Sequence, residues 1–124
     1  MTETIQTAHR VLIVEDEPLI RWSAIEMIED AGYEIFEAAN ADEALRILEA
    51  CHDIEFVFTD VDMPGSMDGL NFARAVHDRW PPIKILVTSG KKTPSNGQLP
   101  QGGRFLAKPY LATDVVGALA RLAA

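Results

Sequence analysis

Acids, hydroxyls and one lysine stand directly after short apolar runs in this 124-residue chain. Glu15, Asp16 and Glu17 follow VLIV, Asp60 and Asp62 follow FVFT within TDVDMPG, Thr88, Ser89 and Gly90 close KILVTSG, and Lys108 with Pro109 follows RFLA. Carboxylates brought together from separate parts of a chain repel one another unless a cation joins them. Oxygen ligands without His or Cys suit a hard cation, and Mg2+ in particular keeps several waters and needs only one or two carboxylates. A carboxylate nucleophile, a divalent cation, a hydroxyl and a lysine around one point can transfer a phosphoryl group, because the charge on its three equatorial oxygens must be met by positive charge and donors. Mg2+, Thr88 and Lys108 can take one oxygen each. Glu15 to Glu17 taken alone also have a plainer reading, as acids complementing the dipole of a helix N-terminus, and Glu17 beside Pro18 fits that reading best.

These groups can meet only if the chain carries them to one place. Short apolar runs alternate with longer helical patterns, which is the signature of βαβ units and a parallel sheet. The spacing predicts strands at Val11–Val14, Glu34–Ala38, Phe56–Thr59, Lys84–Ser89 and Arg104–Ala107. VLIV and FVFT have no polar face, as strands covered on both sides should read. A first helix opens at Pro18 and stops near Gly32, with Ile20, Ala24, Met27, Ile28 and Ala31 as its apolar stripe. A second opens at Asn40, where Glu43 three residues on completes a capping box, and buries Ala44, Leu45, Ile47 and Leu48. A third runs from Leu70 to Trp80, where Pro81 and Pro82 end it, and a last one from about Thr113 to Leu122. Between the last two strands, Lys91–Gly103 holds Pro94, Pro100 and three glycines, with Leu99 as its only large apolar residue, so a helix there is short or absent. The whole predicts a doubly wound α/β sheet with helices on both faces, where ligands bind beyond the carboxyl ends of the strands.

Composition bounds the rest. With 48% apolar and 24% charged residues, the chain reads as one globular domain, residues 10–124, behind a flexible polar leader, 1–9, without room for an output domain. The lone Cys51 excludes an intrachain disulfide framework and a cysteine-based zinc site. A net charge of −8 argues against nucleic acid and anionic lipid as partners. Nothing in the sequence is long and apolar enough for a membrane span, and the N-terminus lacks the apolar core of a secretion signal, so the expected location is cytoplasmic. His9, His52 and His77 share no ligand spacing and read as surface residues, Trp22 and Trp80 as packing or partner contacts, and Lys91 and Lys92 as solubilising charges.

The residues VLIVEDEP at Val11–Pro18, D-x-x-M-P at Asp60–Pro64, Asp68-Gly69, VTSG at Val87–Gly90 and AKPY at Ala107–Tyr110 together resemble the receiver domain of two-component response regulators, in size and order most like the single-domain chemotaxis regulator. The resemblance implies a flavodoxin-like sheet of order 2-1-3-4-5. It makes Asp60 the phosphoacceptor and places Mg2+ on Asp16 and Asp60, on Glu15 through water, and on the backbone carbonyl of Asp62. Thr88 becomes the switch hydroxyl, Lys108 the ion-pair partner of the phosphoryl group, Phe105 the aromatic switch, and the Lys108–Pro109 peptide is expected to be cis. PGSMDG carries one residue more than the usual family loop, so Ser66 is expected to bulge it. The implied partners are a sensor histidine kinase or a histidine phosphotransfer protein and a downstream protein target, with the chain a monomer or weak dimer and not an enzyme in the ordinary sense. A phosphate sink or shuttle without a target is the alternative. A phosphatase of haloacid-dehalogenase type also uses D-x-D after a strand, but such enzymes lack the Glu15-Asp16 pair and normally need a larger chain.

Overall fold

The computed structural model describes residues 9–65, 67–91, 93–94 and 97–124, so the expectations for most of the leader, for Ser66 and for Lys92 fall outside the described residues. The elements run β1 (Arg10–Val14), α1 (Pro18–Asp30), β2 (Glu34–Ala38), α2 (Ala41–Ala50), β3 (Phe56–Asp60), α3 (Gly69–Arg79), β4 (Lys84–Ser89), β5 (Arg104–Ala107) and α4 (Ala112–Ala123). The five strands form one parallel sheet in the order β2-β1-β3-β4-β5. That is the doubly wound sheet the residue patterns predict, in the flavodoxin-like order the family resemblance implies.

Two apolar layers follow from the two faces of the sheet. Leu12, Val14, Val57, Ile85 and Val87 point to one side and pack with Ala44 and Leu48 of α2 and with Phe72, Ala73 and Val76 of α3. Val11, Ile13, Phe56, Phe58 and Leu86 point to the other and pack with Ala24 and Ile28 of α1 and with Val115, Ala118, Leu119 and Leu122 of α4. Strand residues alternate between the layers because the side-chain period of a strand is two. All five residues of β3 are buried, consistent with its central place and its lack of a polar face.

Three local expectations are corrected. In α1 only Ala24 and Ile28 are fully buried, whereas Ile20 and Ala31 reach solvent: the helix is apolar on more than one side, and the sheet covers only one of them. In α2 Leu45 and Ile47 lie at the edge of the layer and Ala41 takes a buried place instead. At the start of that helix Asn40 Oδ1 accepts the Glu43 N–H at 2.8 Å as predicted, but the Glu43 carboxylate accepts from Ala39 N–H, one residue before the cap. No helix occurs among the described residues of 91–103. The segment is anchored all the same, with Leu99 packed on the α2–α3 layer and Pro100 buried. No helix among the described residues is long and apolar enough to cross a membrane.

Candidate functional site

The register of the sheet brings the acids together. Val14 pairs with Thr59 and Asp60 pairs with Thr88, so β1, β3 and β4 release the chain at one end, where Glu15, Asp16 and Asp60 follow or close their strands. Each offers a carboxylate oxygen within 4.8 Å of the others. Glu15 and Asp60 are both only 4% exposed. Burial pushes both carboxyls above the usual carboxylate range; the Lys108 hydrogen bond and the Glu17 amide pull Glu15 part of the way back, and Lys108 does the same for Asp60.

Lys108 answers this charge from the end of β5. Its Nζ donates to Glu15 Oε1 at 2.9 Å and lies 3.4 Å from Asp60 Oδ1, close enough for charge attraction but outside hydrogen-bond geometry. Burial works against the ammonium, yet the two carboxylates together hold its pKa above the ordinary lysine value. The sequence places Lys108 beside the acids without indicating which of them it takes first, and in this structure it is Glu15.

Two buried polar atoms have no hydrogen-bond partner among the described residues, Asp60 Oδ1 and Thr88 Oγ1. They belong to directly paired residues of β3 and β4. Leaving such groups unsatisfied costs folding free energy, so in a native structure they call for a ligand or a chemical role. Oxygen-only acids with an unpartnered buried carboxylate oxygen fit a hard divalent cation, and a hydroxyl beside them fits an incoming oxyanion.

Other contacts set this geometry. Thr59 Oγ1 donates to the Asp60 carbonyl at 3.0 Å, and the Gly69 amide to the Val61 carbonyl at 2.9 Å. A Cβ built on Gly69 would stand 1.8 Å from the Asp60 carbonyl oxygen, so only glycine lets α3 begin this close to the end of β3. Asp68 caps that helix, its Oδ1 accepting the Asn71 N–H at 2.9 Å. Asp62, expected to act through its carbonyl, also has an engaged side chain, which accepts from Ser89 Oγ at 3.0 Å. Phe105 is half-buried and pairs with Val87, one step before the Thr88–Leu106 pair, and, like Leu99, packs against the α2–α3 layer. The Lys108–Pro109 peptide is cis, as expected.

Several contributors escaped the sequence reading. Arg21 of α1 donates from Nη1 to the Glu15 carbonyl at 2.8 Å and from Nε to Glu37 Oε1 at 3.0 Å. Tyr110 meets Phe58 edge-on, with ring centroids 5.6 Å apart, and shares with Glu15, Asp60 and Thr88 the lining of a void of about 10 Å³. The helical spacing of Arg21 was the signal available, but its use depends on where β2 ends. The three histidines lie away from the acids. His9 is exposed as expected, though not idle, since its Nδ1 lies 2.6 Å from Glu55 Oε2. Trp22 is exposed, and Trp80 packs on the core with the Arg79 guanidinium 4.4 Å from its ring centroid. On the flank of the site, α1 and the segment after β5 enclose an apolar groove of about 540 Å³, lined by Leu19, Ile20, Met27, Lys108, Pro109 and Tyr110 among others.

The chain is similar to known proteins in sequence and fold. The response regulator receiver domain family matches residues 11–119. Among curated relatives, the sensor kinase CckA of Brucella abortus is 36% identical over 113 residues, covering 85% of this chain and 12% of the kinase. The transcriptional regulatory protein PdtaR of Mycobacterium tuberculosis is 35% identical over 113 residues, covering 89% of this chain and 54% of that protein. The chain thus spans a small part of the first and about half of the second. Among solved structures, the chemotaxis protein CheY4 of Vibrio cholerae superposes with a TM-score of 0.84 at 28% identity, covering 94% of this chain and 99% of that one. With the acids, the hydroxyl and the lysine at the carboxyl ends of a 2-1-3-4-5 sheet, and with the family match spanning nearly all of it, this chain belongs to the receiver domains of two-component response regulators.

Proposed function

We propose that Asp60 accepts a phosphoryl group from a phosphohistidine of a sensor kinase or phosphotransfer protein, and that the chain signals by protein binding that depends on this modification. The observation that carries the reading is the pair of buried atoms without a hydrogen-bond partner among the described residues, Asp60 Oδ1 and Thr88 Oγ1, on directly paired residues of β3 and β4, with Lys108 Nζ 3.4 Å from the first of them. An Asp60 oxygen attacks phosphorus in line; the new P–O bond forms as the P–N bond breaks, and the imidazole leaves with its electron pair. Lys108 meets one phosphoryl oxygen and the Thr88 hydroxyl donates to another. Glu15, Asp16, Asp60 and the Asp62 carbonyl would hold Mg2+, which when bound neutralises charge on the phosphoryl oxygens. Water later cleaves the acyl phosphate, so the domain catalyses both its own phosphorylation and its own return.

The signal would leave through Thr88. Its hydroxyl, drawn to the phosphoryl group, moves β4, and Phe105 on the neighbouring strand turns into the space released. The apolar groove between α1 and the segment after β5 borders Lys108 and gives a phosphodonor a seat beside the site.

Incubation with acetyl phosphate and Mg2+, followed by intact-mass measurement and peptide mapping, tests the assignment. The expected result is one added phosphoryl group on Asp60, absent in Asp60→Asn. Labelling of Asp60→Asn at an unchanged rate overturns it.

A further inference from the structure

We propose that Arg21 is a positioning residue for the acid pair: it fixes the peptide plane joining Glu15 to Asp16 and thereby sets the site's affinity for a divalent cation. The proposal rests on the reading that these acids hold such a cation.

The turn from β1 into α1 lacks the usual means of fixing itself. Its N-cap residue, Glu17, makes no side-chain cap hydrogen bond, and Pro18 follows it. Glu15 is nevertheless held at four points. Its N–H donates to the Ala38 carbonyl at 3.1 Å, its Oε2 accepts the Glu17 N–H at 3.1 Å, its Oε1 takes Lys108 at 2.9 Å, and its carbonyl takes Arg21 Nη1 at 2.8 Å. Of these four contacts, only the last acts on the carbonyl of the peptide that supplies Asp16 with its amide. Turning that plane would swing the Asp16 side chain away from Glu15 and Asp60, because the rigid peptide links the two residues.

Arg21 is itself aimed. Its Nε donates to Glu37 Oε1 at 3.0 Å, and its side chain is only 20% exposed. Glu37 directly precedes Ala38, whose carbonyl receives the Glu15 amide. The end of β2 therefore grips the β1 turn twice, once directly and once through the guanidinium. A planar fork with donors in fixed directions can bridge a carboxylate and a carbonyl in this way, whereas an ammonium is a point donor.

Charge and position have opposite signs here. As a cation, Arg21 repels a second cation; as a clamp, it preorganises the ligands. Titration of the full chain with Mg2+ by calorimetry, without phosphodonor, separates the two for wild type, Arg21→Ala, Arg21→Gln and Glu37→Gln, with metal-free thermal unfolding recorded in parallel. The expected result is an affinity loss on the order of tenfold for Arg21→Ala. Arg21→Gln, which keeps an N–H donor without the charge, should fall between that and wild type. Glu37→Gln should lose less than Arg21→Ala and add nothing to it in the double variant. If Arg21→Ala does not fold at the titration temperature, Arg21→Gln and Glu37→Gln carry the comparison. Equal or tighter binding by the Arg21 variants overturns the clamp and leaves the metal site standing. A wild-type chain that takes up no Mg2+ overturns the metal-site reading, and the proposal with it.

Discussion

At the amino ends of the strands, His9 meets Glu55, and Arg10 meets both Glu34 and Asp53, with all three carboxylates open to solvent. At the carboxyl ends, Glu15 and Asp60 are buried around one ammonium, and an Asp60 oxygen and the Thr88 hydroxyl have no hydrogen-bond partner among the described residues. Solvated pairs of the first kind cost little and contribute little, typically up to about 1 kcal/mol. Buried like charges of the second kind oppose folding, and they persist where chemistry needs them. The same sheet thus keeps one end for ordinary solubility and the other under electrostatic load.

Three substitutions test that contrast. The largest effect is expected from Gly69→Ala, which drives a methyl into the Asp60 carbonyl at the loaded end; a loss of about 3 kcal/mol or more in denaturant unfolding is expected. A loss below about 1 kcal/mol would mean that α3 can retreat from the site freely.

Next comes Asp60→Asn in metal-free buffer. Because burial raises the Asp60 pKa on folding, the acid's favourable contribution is complete below its ordinary value of 3.8 and is lost as pH rises through the higher folded value. The neutral variant should therefore be more stable than wild type at pH 7, read as a higher Tm. The gain should shrink as pH falls through the raised folded-state pKa and be gone below the ordinary value of 3.8, where the wild-type acid is protonated in both states. A variant less stable at neutral pH would show that Lys108 more than offsets the burial.

The smallest effect belongs to the other end. Glu55→Gln removes the partner of His9 at an exposed position and should change stability by less than about 0.5 kcal/mol. A larger change would erase the distinction between the two ends.

Much of this was legible in the residues. VLIV and FVFT read as strands covered on both faces, KILVTS and RFLA as further strands of the same parallel sheet, and the polar residues that end or follow them emerge at one edge of it. That is why Glu15, Asp16, Asp60, Thr88 and Lys108 could be grouped before any coordinates. The absence of a helix among the described residues of 91–103 follows from the same kind of local chemistry, two prolines and three glycines. What was not legible depends on distances between elements. Spacing alone could not say which side of α1 the sheet would cover, so Ile20 and Ala31 were expected inside. Nor could it say that Lys108 would rest on Glu15, that Ser89 would tie down the Asp62 side chain, or that Arg21 would span from α1 to the end of β2.

The thin seating of α1 has one more consequence. Only Ala24 and Ile28 of its thirteen residues are fully buried. A helix held by so little apolar surface opens locally at lower free energy than the sheet, and its amides exchange with solvent through such excursions while β3 stays closed. The turn bearing Glu15 and Asp16 is continuous with that helix, so how long the acids stay assembled is governed by a part of the fold that comes loose before the whole does.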